Sequence, residues 1–154
     1  MIRACVITVS DRASSGDRED TSGPLLVSLL GEICEGDGPV VVPDNIDAIR
    51  AALEGAVNDG AEVVITTGGT GIGPRDVTPE AVKPMLELEV PGLAEAIRAQ
   101  AMVPTAALSR GVAGICRGVL VVTLAGSNGA VRDGVAVLVP LLEHAVAQLR
   151  GGDH

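Results

Sequence analysis

Residues 63–80, VVITTGGTGIGPRDVTPE, restrict what this chain can fold into more than any other stretch. Val63, Val64 and Ile65 are β-branched without a break, which suits a strand buried on both faces of a parallel sheet. Side chains then all but vanish. Gly68, Gly69, Gly71 and Gly73 can adopt backbone angles closed to other residues and let main-chain N–H groups approach an anion. Thr70 adds a hydroxyl, Pro74 stiffens the exit, and Arg75 and Asp76 bring opposite charges. Thr78-Pro79-Glu80 reads as an N-cap, a proline at the first helical position and a first-turn acid. The stretch thus predicts a strand, a phosphate-binding loop and a helix. It has neither GxxxxGK followed by Ser or Thr nor a clean GxGxxG, so the two commonest nucleotide fingerprints are missing. A plain connecting turn is the competing reading.

The rest of the chain alternates in the same way. Residues 3–9, RACVITV, predict a first strand, ending at Ser10-Asp11-Arg12. Residues 13–20 are polar and charged, and read either as a solvated loop or as part of a ligand rim, since ligands gather at strand C-terminal ends in open α/β sheets. Leu25, Leu26, Leu29 and Leu30 mark a helix from Pro24 to about Glu32. A short strand over 40–42 stops at Pro43-Asp44-Asn45, where Asp44 or Asn45 would cap a helix striped by Ile46, Ile49, Leu53 and Val57. Beyond the central loop, helices are predicted over 79–88, shortened by Pro84, and over 92–101. The last strand, over 119–124, opens into a second glycine loop, 125–129. A long helix follows, with Val131, Val135, Leu138, Leu142, Ala145 and Leu149 on one stripe and a kink expected at Pro140. This alternation predicts a single domain over 1–154, with a three-layer α/β fold around a mostly parallel sheet.

Composition narrows the function. The chain has 154 residues and no Phe, Tyr or Trp, so its core must be aliphatic and bound rings lose their usual stacking partners. With 11 basic against 20 acidic residues, net −9, and no base-stacking platform, nucleic acid is not expected as a partner. Cys5, Cys34 and Cys116 are far apart and form no CxxC pair, so buried reduced thiols are expected. His144 and His154 stand in no Cys-His nucleophile pattern. No apolar run reaches membrane-spanning length and no basic leader precedes one, so a cytoplasmic protein without membrane contact is expected.

The string TTGGTG followed by PRDVTPEA resembles the MogA/MoaB family of molybdenum-cofactor biosynthesis proteins, related to the N-terminal domain of gephyrin. VPGLAEAIRAQAM and PTAALSRGVAG resemble it too, and the likeness covers nearly the whole chain, weakest over 32–42. The resemblance implies that family's α/β fold and molybdopterin adenylyltransferase activity, with ATP and molybdopterin as substrates and Mg²⁺ as cofactor. It also implies a homotrimer and a partner protein that inserts molybdenum. It raises Asp44 from a cap to a catalytic acid. On the family's pattern, Ser10, Asp11 and Arg12 fall on the active-site rim, and Ser109 and Arg110 near the pterin. Asp44 and Asp76 are expected to hold Mg²⁺, which favours a few carboxylates completed by water and substrate oxygens. Gly68, Gly69, Thr70 and Gly71 are expected to cradle a phosphate, with Arg75 and Arg12 on its oxygens. Gly126 and Ser127 are expected to serve the second ligand.

The second glycine loop departs from the family. Relatives have Leu-Pro-Gly, then Ser or Asn and Pro, often near a Lys; here Ala125 replaces the first Pro and Asn128-Gly129 follow Ser127. The only lysine is Lys83, so the missing charge must come from an arginine such as Arg132, or be absent. Two other functions compete with the transferase: a pterin-binding or scaffold module without chemistry, and a nucleotide hydrolase. Paired carboxylates beside an anionic ligand argue against the first, and the lack of an evident water-activating base against the second.

Overall fold

A computed structural model describes residues 1–36 and 38–152. Seven strands form one sheet: β1 (Ile2–Val9), β2 (Cys34–Glu35), β3 (Val40–Val42), β4 (Val63–Thr67), β5 (Leu88–Glu89), β6 (Ala113–Cys116) and β7 (Val119–Leu124). Their order is β2-β1-β4-β7-β6-β5, with β3 also pairing β1. The pairs β1–β2, β1–β3, β1–β4 and β4–β7 are parallel, and the sheet closes at one edge with β7–β6 and β6–β5 antiparallel. The strands read from sequence are present at β1, β3, β4 and β7. β2 and β5 are two residues long and β6 reads AGIC, so none of them carries the unbroken β-branched run that marks β3, VVV.

Helices cover both faces. α2 (Ser22–Leu30), α5 (Pro91–Gln100) and α6 (Asn128–Leu149) pack on one side, where Leu26, Leu30, Ala94, Val131, Leu138 and Leu142 meet Val63, Ile65, Val122 and Leu124. α3 (Ile46–Asn58) and α4 (Thr78–Val82) pack on the other, where Ile49, Leu53, Ala81 and Val82 meet Ile7, Val9, Val64 and Val121. β1, β4 and β7 are nearly or wholly buried, which explains their unbroken aliphatic runs. All three cysteines are buried.

Several local expectations are corrected. The start of the polar stretch after β1 forms a short helix, α1 (Asp11–Ser15), because Ser10 accepts from the Ala13 N–H as its N-cap and Gly16, at φ 84°, ends it. Thr78 is not a cap: its hydroxyl donates inward to the Gly68 carbonyl at 2.9 Å, and no side chain caps α4. α4 stops at Val82, and Lys83–Met85 tightens into a 3₁₀ turn around Pro84, which cannot donate to an α-helical ladder. As expected, the long helix α6 carries Pro140 in its interior. No described helix is long and apolar enough to cross a membrane. His144 faces Gln148 on the exposed side of α6, and His154 lies outside the described residues.

Candidate functional site

Parallel β1, β4 and β7 all end toward the same rim, which brings both glycine loops together there. The Thr67 hydroxyl donates to the Ala125 carbonyl (3.1 Å) and the Gly68 N–H to the Leu124 carbonyl (2.9 Å), so the first loop is stitched to the second. Their backbones are so close that a Cβ on Gly126 would stand 3.1 Å from Gly68 Cα. Gly69 has φ 69° and sits against Asp44, where an added Cβ would come 3.0 Å from Oδ1. Among the described residues the N–H groups of Gly69, Thr70, Gly71, Gly126 and Ser127 have no hydrogen-bond partner. Such a run of backbone donors favours an anion.

Asp11, Asp44 and Arg75 form one cluster. The Asp11 N–H donates to Asp44 Oδ2 (2.9 Å) and the Asp44 N–H to Asp11 Oδ1 (3.0 Å), a reciprocal pair that ties the end of β1 to the end of β3. Arg75 donates to both Asp11 oxygens, at 3.0 and 3.2 Å, and to the Asp44 carbonyl at 3.3 Å. That bidentate hydrogen bond, with the Asp44 N–H, holds the Asp11 carboxyl below its ordinary range. Asn45, not Asp44, caps α3, accepting from the Ala48 N–H at 2.9 Å. Asp44 is thereby left for other work. Its pKa is raised first by burial, then by the like charges of Asp11 and Asp76, against the lowering effect of the Asp11 N–H.

Asp76 is positioned through its backbone. Its Oδ2 accepts from the Gly73 N–H at 2.9 Å, and its own N–H donates to the Gly73 carbonyl at 3.1 Å. Arg110 clamps the same segment, donating to the carbonyls of Gly71 (2.9 Å) and Asp76 (3.0 Å) and to the Glu80 carboxylate (2.7 Å). The Arg110 N–H holds the Thr70 carbonyl at 2.7 Å, and the Thr70 and Ser109 hydroxyls are 3.1 Å apart.

Two cavities meet at this rim, sharing Gly69, Asp76 and Gly126. The smaller, about 220 Å³, is polar: Ser10, Asp44, Asp76, Glu19 and Asp20 line it with one cation, Arg18. An acid-heavy wall of this kind repels phosphates unless a cation is bound, and a hard divalent ion between Asp44 and Asp76 fits that donor set. Among the described residues no group of three or more His, Cys, Asp or Glu side chains is arranged to hold a metal, so substrate oxygens and water would complete the shell. The larger cavity, about 610 Å³, has aliphatic walls from Ala94, Ile97, Met102, Val103 and Leu108, with Thr70, Gly71, Ser109 and Ser127 at its polar end.

Of the residues expected from sequence, Ser10, Asp44, Asp76, Gly68, Gly69, Thr70, Gly71, Ser109, Gly126 and Ser127 line one cavity or both. Four do not. Asp11 and Arg75 neutralise each other, and Arg110 is spent on carbonyls and Glu80. Arg12 is exposed and lies outside both walls, as does Arg132. Sequence reasoning left residues 13–20 open between solvated loop and ligand rim and did not single out Asp20, which accepts from the Thr8 hydroxyl (2.8 Å) and the Gly23 N–H (3.1 Å) on the smaller cavity's wall. Its own signal was an acid three residues before Gly23 at a helix start, which marks a turn. Arg98 and Asp133, on the larger cavity, were missed as well.

Residues 5–144 match the family model described as "Probable molybdopterin binding domain". The chain is 40% identical to the molybdenum cofactor biosynthesis bifunctional protein of Synechococcus elongatus, over 98% of this chain and 48% of that protein. It is thus about half that relative's length. It is 40% identical to the molybdopterin adenylyltransferase of Pyrococcus furiosus, over 94% of this chain and 89% of that protein. A solved molybdopterin biosynthesis protein from Mycobacterium abscessus superposes with a TM-score of 0.88 at 46% identity, covering 97% of this chain and 94% of that one.

Proposed function

This chain belongs to the molybdopterin-binding domain family of molybdenum-cofactor biosynthesis proteins, and from that premise we propose that it is a molybdopterin adenylyltransferase. It transfers AMP from ATP to the terminal phosphate of molybdopterin and releases pyrophosphate. The observation that carries this reading is the facing of Asp44 and Asp76 into one small polar cavity, between two loops with unpartnered N–H groups.

A terminal phosphate oxygen of molybdopterin attacks the α-phosphorus of ATP; the new P–O bond forms as the bond to the bridging oxygen breaks and pyrophosphate leaves. Both reactants are anionic, so the protein's task is to hold them in line and offset their repulsion. Asp44 and Asp76 hold Mg²⁺ in this reading, and the ion supplies charge neutralisation at the phosphates. The N–H groups of Gly69, Thr70 and Gly71 bind phosphate oxygens where the two cavities join, and the aliphatic cavity receives the pterin. The reading includes a cytoplasmic homotrimer that passes its product to a molybdenum-inserting partner.

The test is pyrophosphate release measured with ATP, Mg²⁺ and molybdopterin, each omitted in turn. Release that requires all three is expected. Release without molybdopterin would make the protein a nucleotide hydrolase, and pterin binding without release would make it a scaffold.

A further inference from the structure

We propose that Arg98 is the residue that binds the terminal phosphate of the acceptor in the larger cavity; this rests on the adenylyltransferase reading. Placing a phosphorylated ligand in that cavity is costly, because the chain carries a net charge of −9 and the walls include two carboxylates, Asp76 and Asp133. A cation must face the ligand. Among the described residues Arg98 is the only Lys or Arg on those walls. The arginines that the sequence offered are out of reach or already engaged, as Asp11 takes Arg75 and Glu80 takes Arg110.

Arg98 is built for the part. It projects from the last turns of α5, partly buried, and its Nη1 donates to the Gly111 carbonyl at 2.8 Å and toward the Ser109 carbonyl at 3.5 Å. Those bonds fix the guanidinium beside Ser109, whose hydroxyl meets Thr70 of the glycine loop. Among the described residues Arg98 forms no ion pair, and its Nε and Nη2 have no protein partner. A planar fork with two free donors and an uncompensated charge matches phosphate oxygens.

The experiment separates the charge of Arg98 from its hold on the turn. Arg98→Gln keeps a donor for the Gly111 carbonyl and loses the charge, whereas Arg98→Lys keeps the charge. Molybdopterin binding is titrated without ATP by the pterin's own fluorescence, against a protein with no Trp or Tyr; the KM for ATP is then taken from pyrophosphate release. Arg98→Gln is expected to weaken molybdopterin binding by about tenfold to a hundredfold and to flatten its salt dependence. Arg98→Lys should recover most of the affinity, and the KM for ATP should not move. Unchanged molybdopterin affinity in Arg98→Gln overturns the proposal. So does a rise confined to the KM for ATP, or an equal loss in both variants with a lowered melting temperature, which would mark Arg98 as a brace for the turn. If the wild type releases no pyrophosphate, the adenylyltransferase reading fails by itself, and the ATP-free titration still decides whether Arg98 binds the phosphate.

Discussion

Asp44 and Asp76 line the same cavity, and burial first, then the charges of Asp11 and Asp76, make the Asp44 carboxyl harder to ionise. The Asp44 carboxyl consequently keeps its proton above the ordinary aspartate value of 3.8, chiefly through burial. Native protein therefore binds more protons than unfolded chain between 3.8 and the raised value, and this group's contribution to stability is lost as pH rises through that window. Asp76→Asn removes one of the like charges, so the Asp44 titration followed by carboxyl NMR should shift downward; an unmoved midpoint would mean the two do not interact. The same variant should keep its melting temperature while turnover falls on the order of a hundredfold or more. A well-folded Asp76→Asn protein with full turnover would reduce Asp76 to a turn former. Arg110 acts at one remove, through the Gly71 and Asp76 carbonyls. Arg110→Met should lower kcat and raise the Mg²⁺ concentration for half-maximal rate about tenfold, with partial rescue by Arg110→Lys. A variant that changes the melting temperature alone would assign it to stability.

At the scale of elements, the site depends on where strands and helices begin and end. Asn45 caps α3, and its neighbour Asp44 turns into the cavity. Asn45→Ala should cost about 1 kcal/mol of stability by denaturant titration, with loss of activity only through unfolding. Leu53 is fully buried where α3 packs beneath β1 and β4, so Leu53→Ala should cost about 2–5 kcal/mol. If Leu53→Ala costs less than Asn45→Ala, α3 is held by its cap rather than by its face. α4 shows the reverse arrangement. It has no side-chain cap, and Thr78 instead donates to the Gly68 carbonyl, so its start is set by the glycine loop it follows.

For the whole molecule, the exposed aliphatic side chains are concentrated on a few segments. Ile72 and Leu88, outside both cavities, are more than half exposed, as are Met102, Val103 and Leu108 at the mouth of the larger one, and mean hydropathy is positive. Burial of such surface against further copies is consistent with the proposed trimer. Light scattering should give three times the chain mass across a wide concentration range; a concentration-independent monomer would end that proposal. Hydrophobic driving force is little affected by moderate salt, so the assembly should persist as salt is raised while substrate affinity weakens.

What the sequence determined alone were features that depend on local pattern. Unbroken β-branched runs suited strands buried in a parallel sheet, and four glycines after one of them suited a loop open to an anion, with a plain turn as the competing reading. The aliphatic stripe of α3 likewise requires a face against the sheet. The resemblance in TTGGTG and PRDVTPEA was enough to point to the family. Tertiary structure decided which charges are available. Arg75 and Arg110 look alike as phosphate ligands in the sequence, yet Asp11 lies 64 residues from Arg75 and Glu80 lies 30 from Arg110. The first pair meets because the parallel strands β1 and β4 end at the same rim, and the second because β6, antiparallel to β7, begins there. Arg98 and Asp20 are the converse: ordinary on a helix and in a turn, they face the cavities because of how α5 and α2 pack on the sheet. Coulomb interactions act through space and helical periodicity along the chain, so sequence pattern pointed to the candidate site and folding decided which charges face it.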